Sequence, residues 1–120
     1  MPKRLYPKIR ILIGEVVAVG PGKADLLDAI GRTGSISAAG REMGMSYRRA
    51  WLLVDMLNSS FAKPLVATAT GGQRGGGAQL TDFGAEVLQR YRAIEAKAAA
   101  CVEQDLGQLA RFIKAPRKQA

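Results

Sequence analysis

At 120 residues the chain is sized for one domain, because two cores would each have too little apolar surface to bury. With 48% apolar and 23% charged residues, one cysteine and no histidine, its composition excludes disorder, an intramolecular disulfide, the usual zinc ligand sets and any catalytic pair built on histidine. A net charge of +8 favours a polyanionic partner over a basic one.

The first periodic segment is residues 8–13, where Ile9, Ile11 and Ile13 alternate with Lys8, Arg10 and Leu12, the spacing of a half-buried strand. Gly14 breaks it, and Val16 to Val19 either continue the strand or turn. After Gly20-Pro21-Gly22 a first helix is expected over 23–33, with Leu26, Leu27 and Ile30 on one stripe and Gly31 and Gly34 as its stop. Ser35 has the chemistry to cap a second, short helix through Ile36, Ala38, Ala39 and Met43, which Gly44 ends. Ser46 then caps a third, whose Ala50, Val54, Leu57 and Phe61 form the core stripe, completing a three-helix core over 23–61. On a wheel of 100° per residue, Arg48, Leu52 and Asp55 lie opposite that stripe, with Arg49 and Tyr47 beside them.

Beyond Pro64 the pattern predicts a hairpin over 65–81, with strands at Leu65–Thr70 and Ala78–Thr81. Its tip, Gly71-Gly72-Gln73-Arg74-Gly75-Gly76-Gly77, offers only Gln73 and Arg74 as side-chain contacts. Thr81 caps a long helix expected over 82–113, in which Val87, Tyr91, Ile94, Ala98, Cys101, Val102 and Leu109 recur at three- and four-residue steps. Such a helix is ~45 Å long at 1.5 Å per residue and outruns so small a domain. Its apolar stripe is therefore assigned to dimerisation. Residues 114–120 form a basic tail. No run approaches the ~18 apolar residues of a membrane span, and the basic start, Met1 to Pro7, lacks the apolar stretch of a secretory signal. A cytoplasmic chain is expected.

Charge sharpens the picture when it is divided along the chain. The first ten residues hold Lys3, Arg4, Lys8 and Arg10, the last ten hold Arg111, Lys114, Arg117 and Lys118, and residues 11–110 balance. Inside that balanced stretch, residues 41–74 are basic, with Arg41, Arg48, Arg49, Lys63 and Arg74 against Glu42 and Asp55. The order of helix, short helix, tight turn, longer helix and glycine-tipped hairpin is that of a winged helix-turn-helix, mainly α with a small β wing and a long C-terminal dimerisation helix. Its central grammar is Gly34-Ser35-Ile36-Ser37-Ala38-Ala39-Gly40-Arg41-Glu42-Met43-Gly44-Met45-Ser46. There Ala39 permits a close helix crossing, Gly44 the turn, and Ser46 starts the reading helix.

Residues 34–46 resemble the helix-turn-helix of LysR-type regulators. Gly20-Pro21-Gly22-Lys23, Leu26-Leu27, Met45 to Trp51, Pro64-Leu65-Val66, Gly75 to Ala78 and Leu80-Thr81-Asp82-Phe83-Gly84 extend the resemblance to the N-terminal domain of ModE-type molybdate-responsive regulators, over roughly residues 9–95. The resemblance implies a dimeric DNA-binding repressor or activator. The longer members of that family bind molybdate through a separate C-terminal region, so molybdate binding by these 120 residues is not expected.

Double-stranded DNA is thus the expected partner. Ser46, Tyr47, Arg48 and Arg49 would address the major groove, and Gln73 and Arg74 the adjacent minor groove or phosphates. Which arginine reads a base and which holds a phosphate is open, and Trp51 is read as packing. Gly20-Pro21-Gly22-Lys23-Ala24 misses the phosphate-loop spacing and carries no hydroxyl after the lysine. Cys101 reads as a structural thiol, and no catalytic residue, metal or cofactor is expected. Two competing readings stand beside this one: an adaptor whose long helix pairs with a different chain, and a small oxyanion binder using the glycine-rich loop.

Overall fold

A computed structural model describes residues 5–69 and 77–114. The apolar alternation near the start resolves into a hairpin, β1 (Ile11–Ile13) paired antiparallel with β2 (Val16–Val19). Gly14, at φ +63°, makes its turn. The strand expected over 8–13 is therefore paired only from Ile11, and Ile13 at the hairpin tip is exposed rather than inward. β2 is the strand that enters the interior, burying Ala18 and Val19.

The helix α1 (Pro21–Thr33) starts two residues before the expected position, because proline at the first helical position is pre-organised and loses no hydrogen bond there. Gly34 closes it at φ +74°, its N–H donating to the Ile30 carbonyl. Gly31 is no stop: it lies inside α1, where its missing side chain admits Leu80. Then come α2 (Ile36–Glu42) and α3 (Tyr47–Ser60), followed by β3 (Val66–Ala69) and β4 (Gly77–Leu80), antiparallel with Val66 opposite Leu80 and Ala69 opposite Gly77. Leu26, Leu27, Ile30, Ile36, Ala39, Ala50, Val54, Leu57 and Leu65 make one core from three helices and the hairpin base. Phe61, expected on the stripe, is only half-buried and bridges to a smaller cluster around Val19, Ala24 and Tyr91.

The C-terminal helix is α4 (Asp82–Cys101), which Thr81 caps by accepting from the Gly84 N–H at 2.8 Å. It does not run unbroken to 113. Val102 leaves helical geometry at φ −106°, ψ 9°, and a separate α5 (Glu103–Ala110) follows. Phe83, Val87, Leu88 and Tyr91 pack the first half of α4 onto the domain, whereas α5 buries nothing. Principal extents of 56 × 36 × 25 Å reflect this projecting arm.

One close approach fixes α4. A side chain at Gly84 would collide with the Leu65 carbonyl, the same carbonyl that accepts from the Thr81 N–H at 3.0 Å. Glycine is the residue that lets the helix start lie against that backbone. Lys23 is the buried charged residue of the core, its ammonium donating to the Val17 carbonyl at 2.6 Å and tying α1 to the first hairpin. Burial pushes its pKa down.

Candidate nucleic-acid interface

The interface is built from the short helix outward. Ser35 caps α2 by accepting from the Ala38 N–H at 3.0 Å. Ala39 is fully buried, and a close approach between α2 and α3 also falls one residue later, where a Cβ on Gly40 would sit 3.1 Å from Ala50 Cβ. Gly44 at φ +72° turns the chain, and Met45 N–H donates back to the Gly40 carbonyl at 2.9 Å. Ser46 Oγ then accepts from the Arg49 N–H at 3.1 Å, which starts α3 and leaves the hydroxyl proton free to donate.

This brings Ser46, Tyr47, Arg48 and Arg49 together as an exposed cluster at the start of α3. Tyr47 is 59% exposed and meets Trp51 edge-on, ring centroids 6.1 Å apart. Trp51 leans on the core, so it props Tyr47 from behind. Arg48 and Arg49 enter none of the ion pairs among the described residues. Five carboxylates elsewhere are engaged among the described residues, Asp25, Asp28, Glu42, Glu86 and Glu95. Arg32 holds Asp28 at 2.9 Å and grips Glu42 with both terminal nitrogens, while Arg92 holds Asp25 at 2.8 Å and Glu95 at 2.9 Å. Glu42 keeps the Arg32 guanidinium charged well above its ordinary range, and Arg32 holds the Glu42 carboxyl below the usual carboxylate range. Ion pairs thus engage Arg32, Arg90 and Arg92 on α1 and α4, whereas Arg41 on α2 and the two arginines on α3 stay unpaired among the described residues.

The hairpin is aimed by a residue that sequence reading passes over. Asn58, half-buried on α3, accepts with Oδ1 from the N–H groups of Leu65 at 2.8 Å and Val66 at 3.1 Å, and donates from Nδ2 to the Val66 carbonyl at 3.2 Å. A polar side chain one residue past Leu57 on the core stripe was its signal. On the other side, the Ala78 N–H donates to the Gly34 carbonyl at 3.0 Å. A concavity lined by Ser35, Ser37, Tyr47, Trp51, Thr68 and Gly77 joins the starts of α2 and α3 to the outer hairpin. Gln73 and Arg74 lie outside the described residues.

The expected dimerisation stripe divides. Tyr91 is 2% exposed and donates its hydroxyl to the Ile9 carbonyl at 2.5 Å, so it belongs to its own chain's core rather than to a contact with another. Val87 likewise packs on that core. Ala98 and Val102 are half-buried, and Ile94, Cys101 and Leu109 are exposed along the arm. No helix among the described residues is long and apolar enough to cross a membrane.

Two helices crossing at a glycine turn, with a hairpin clamped to the second, define a winged helix-turn-helix. The chain belongs to the lysR family of bacterial regulatory helix-turn-helix proteins, whose model matches residues 23–85. Its helix-turn-helix domain is similar to that of ModE-type regulators. It is 52% identical over 81 residues to the molybdenum-pterin-binding protein MopB of Rhodobacter capsulatus, covering 68% of this chain and 30% of that protein. It is 42% identical over 78 residues to the molybdenum transport protein ModE of Azotobacter vinelandii, covering 65% and 29%. With the DNA-binding transcriptional dual regulator ModE of Escherichia coli K12 it shares 41% identity over 71 residues, covering 59% and 27%. The chain thus spans about 30% of the length of the relatives it matches. The resemblance read from residues 34–46 and the flanking motifs is borne out.

Proposed function

We propose that the chain is a sequence-specific DNA-binding module of a transcriptional regulator, reading the major groove with the start of α3. One observation carries this reading: Arg48 and Arg49 stand exposed, and unpaired among the described residues, at the capped start of the second helix of a helix-turn-helix, the end that such folds insert against base edges. Arginine offers the planar pair of donors that matches guanine O6 and N7, and either residue suits a phosphate equally well. The hairpin that Asn58 clamps connects through residues 70–76, and the role given to Gln73 and Arg74 there is contact with the flanking backbone or minor groove. A cytoplasmic location follows from this role, and no catalytic step or cofactor is needed for it.

Replacing Arg48 and Arg49 together by alanine should weaken binding to a duplex selected by this chain from a random pool by ~2 to 6 kcal/mol, at ~1 to 3 per lost base contact. Thermal stability should be unchanged. Unaltered affinity in a titration at fixed salt would refute the assignment. Inorganic molybdate titrated into this 120-residue chain should give no binding heat.

Homodimerisation through the arm is part of the proposal. It is supported by Ile94, Leu109, Phe112 and Ile113, which are 43%, 49%, 85% and 38% exposed on an arm whose last helix buries nothing. A helix as short as α5 is marginal without packing, and Cys101, Ala98 and Val102 extend the same surface. Light scattering on the eluted chain should return twice the monomer mass. A monomer with weak, salt-independent DNA affinity would favour the adaptor reading instead.

A further inference from the structure

Leu52 is the unexplained residue of α3. Its neighbours Leu53, Val54 and Leu57 turn to the core, but Leu52 is 53% exposed on the face that carries the arginines. A singly exposed leucine is ordinary; the placement of this one is not. It follows Arg48 by one helical turn, about 6 Å along the axis, and on the wheel it falls between Arg48 and Arg49, about 40° from the first and about 60° from the second. Ser46, Arg48, Arg49, Leu52 and Asp55 line one open groove on the outer side of α3. Asp55 closes that strip one turn beyond Leu52, and its carboxylate repels phosphates. This stretch is therefore suited to the floor of a groove rather than to the sugar-phosphate wall.

The apolar feature that a major groove presents is the C5 methyl of thymine. Resting on the DNA-reading role of α3 proposed above, the geometry points to Leu52 as a specificity-determining residue that seats against a thymine methyl, next to the bases addressed by Arg48 and Arg49. The arginines bring hydrogen bonds and charge; Leu52 brings apolar contact, which distinguishes thymine from cytosine and from uracil. Phosphate contacts by the arginines would be sensitive to salt, whereas the contact of Leu52 would not.

The test uses the full chain and a duplex that it selects from a random pool. Each thymine is replaced in turn by deoxyuridine, which removes only the methyl group, and affinities are measured for the wild type, Leu52→Ala and Leu52→Gln. In the wild type, deoxyuridine at one thymine per half-site should weaken binding about fourfold, the value of one buried methyl-sized group. Both variants should bind the unmodified duplex more weakly and lose that penalty, and their salt dependence should match the wild type. Leu52 is half out in solvent and stands outside the core cluster, so both variants should keep the wild-type melting temperature. A scan that is flat in the wild type, or a penalty that persists in both variants, overturns the inference while leaving the DNA-reading role standing. Failure of the wild type to enrich any duplex overturns that role and the inference with it.

Discussion

The two halves of the C-terminal helix obey different rules although they share a sequence period. From Thr81 to Tyr91, α4 is fastened at every turn: the Thr81 cap, Gly84 against Leu65, Phe83, Val87 and Leu88 on the core, and Tyr91 bonded to Ile9. From Ile94 through α5 no apolar residue of that spacing is buried, with Ile94, Cys101 and Leu109 exposed and Ala98, Val102 and Leu106 half-buried, and the helix breaks at Val102. An apolar stripe states that a helix wants a partner surface; it does not state whose. The first half finds that surface inside the chain, and the second half is covered only in part, by the groove it shares with Leu5, Tyr6 and Pro7 among the described residues.

Substitutions should separate the two halves. The largest effect is expected at Gly84→Ala, where a methyl meets a backbone carbonyl that has nowhere to go. Despite alanine's better helix propensity, stability should fall by about 3 kcal/mol, the upper end for overpacked sites, as read by chemical denaturation. Next comes Asn58→Ala, which leaves two N–H groups and a carbonyl at the start of β3 without their partner and should cost about 2 kcal/mol. Tyr91→Phe should cost about 1 kcal/mol for the lost bond to Ile9, with a further signature in pH. Burial, followed by the nearby Glu95 charge, raises the Tyr91 hydroxyl above its ordinary pKa. The folded state therefore keeps that proton after the unfolded chain has released it, and stability falls as pH rises from the ordinary tyrosine value through the raised one. The Tyr91→Phe variant has no such proton and should not show that alkaline loss. At the other extreme, Phe112→Ser, at a position 85% exposed, should move the unfolding free energy by less than about 0.5 kcal/mol when measured at protein concentrations dilute enough to keep the chain monomeric. If Phe112→Ser destabilised the chain as much as Gly84→Ala, the contrast between the halves would fail.

The same contrast explains what the sequence disclosed. Ser35, Ser46 and Thr81 were legible as caps because a cap and the helix it starts are neighbours in the chain. The core stripe of α3 and the glycine turn at Gly44 were legible for the same local reason, and with them the exposed cluster from Ser46 to Arg49. Positions defined by a distant segment were not. Gly40 and Gly84 are set by what Ala50 and Leu65 bring to them, and Asn58 by a strand seven and eight residues away. Tyr91 has the spacing of an interface residue, and nothing local reveals that a carbonyl 82 positions earlier in the chain will claim its hydroxyl. The pairing of β1 with β2 was missed because Gly14 reads equally as an end and as a turn.

Asn58 has a consequence for how such a module can diversify. Its three bonds lock the root of the wing to α3, and the Ala78–Gly34 bond holds the other strand to α1, so the bearing of the hairpin is decided at the strands rather than in the tract between them. Lengthening or rewriting the stretch between Ala69 and Gly77 would then change how far the chain extends from the helix while its direction stays put, giving reach and aim to separate stretches of sequence.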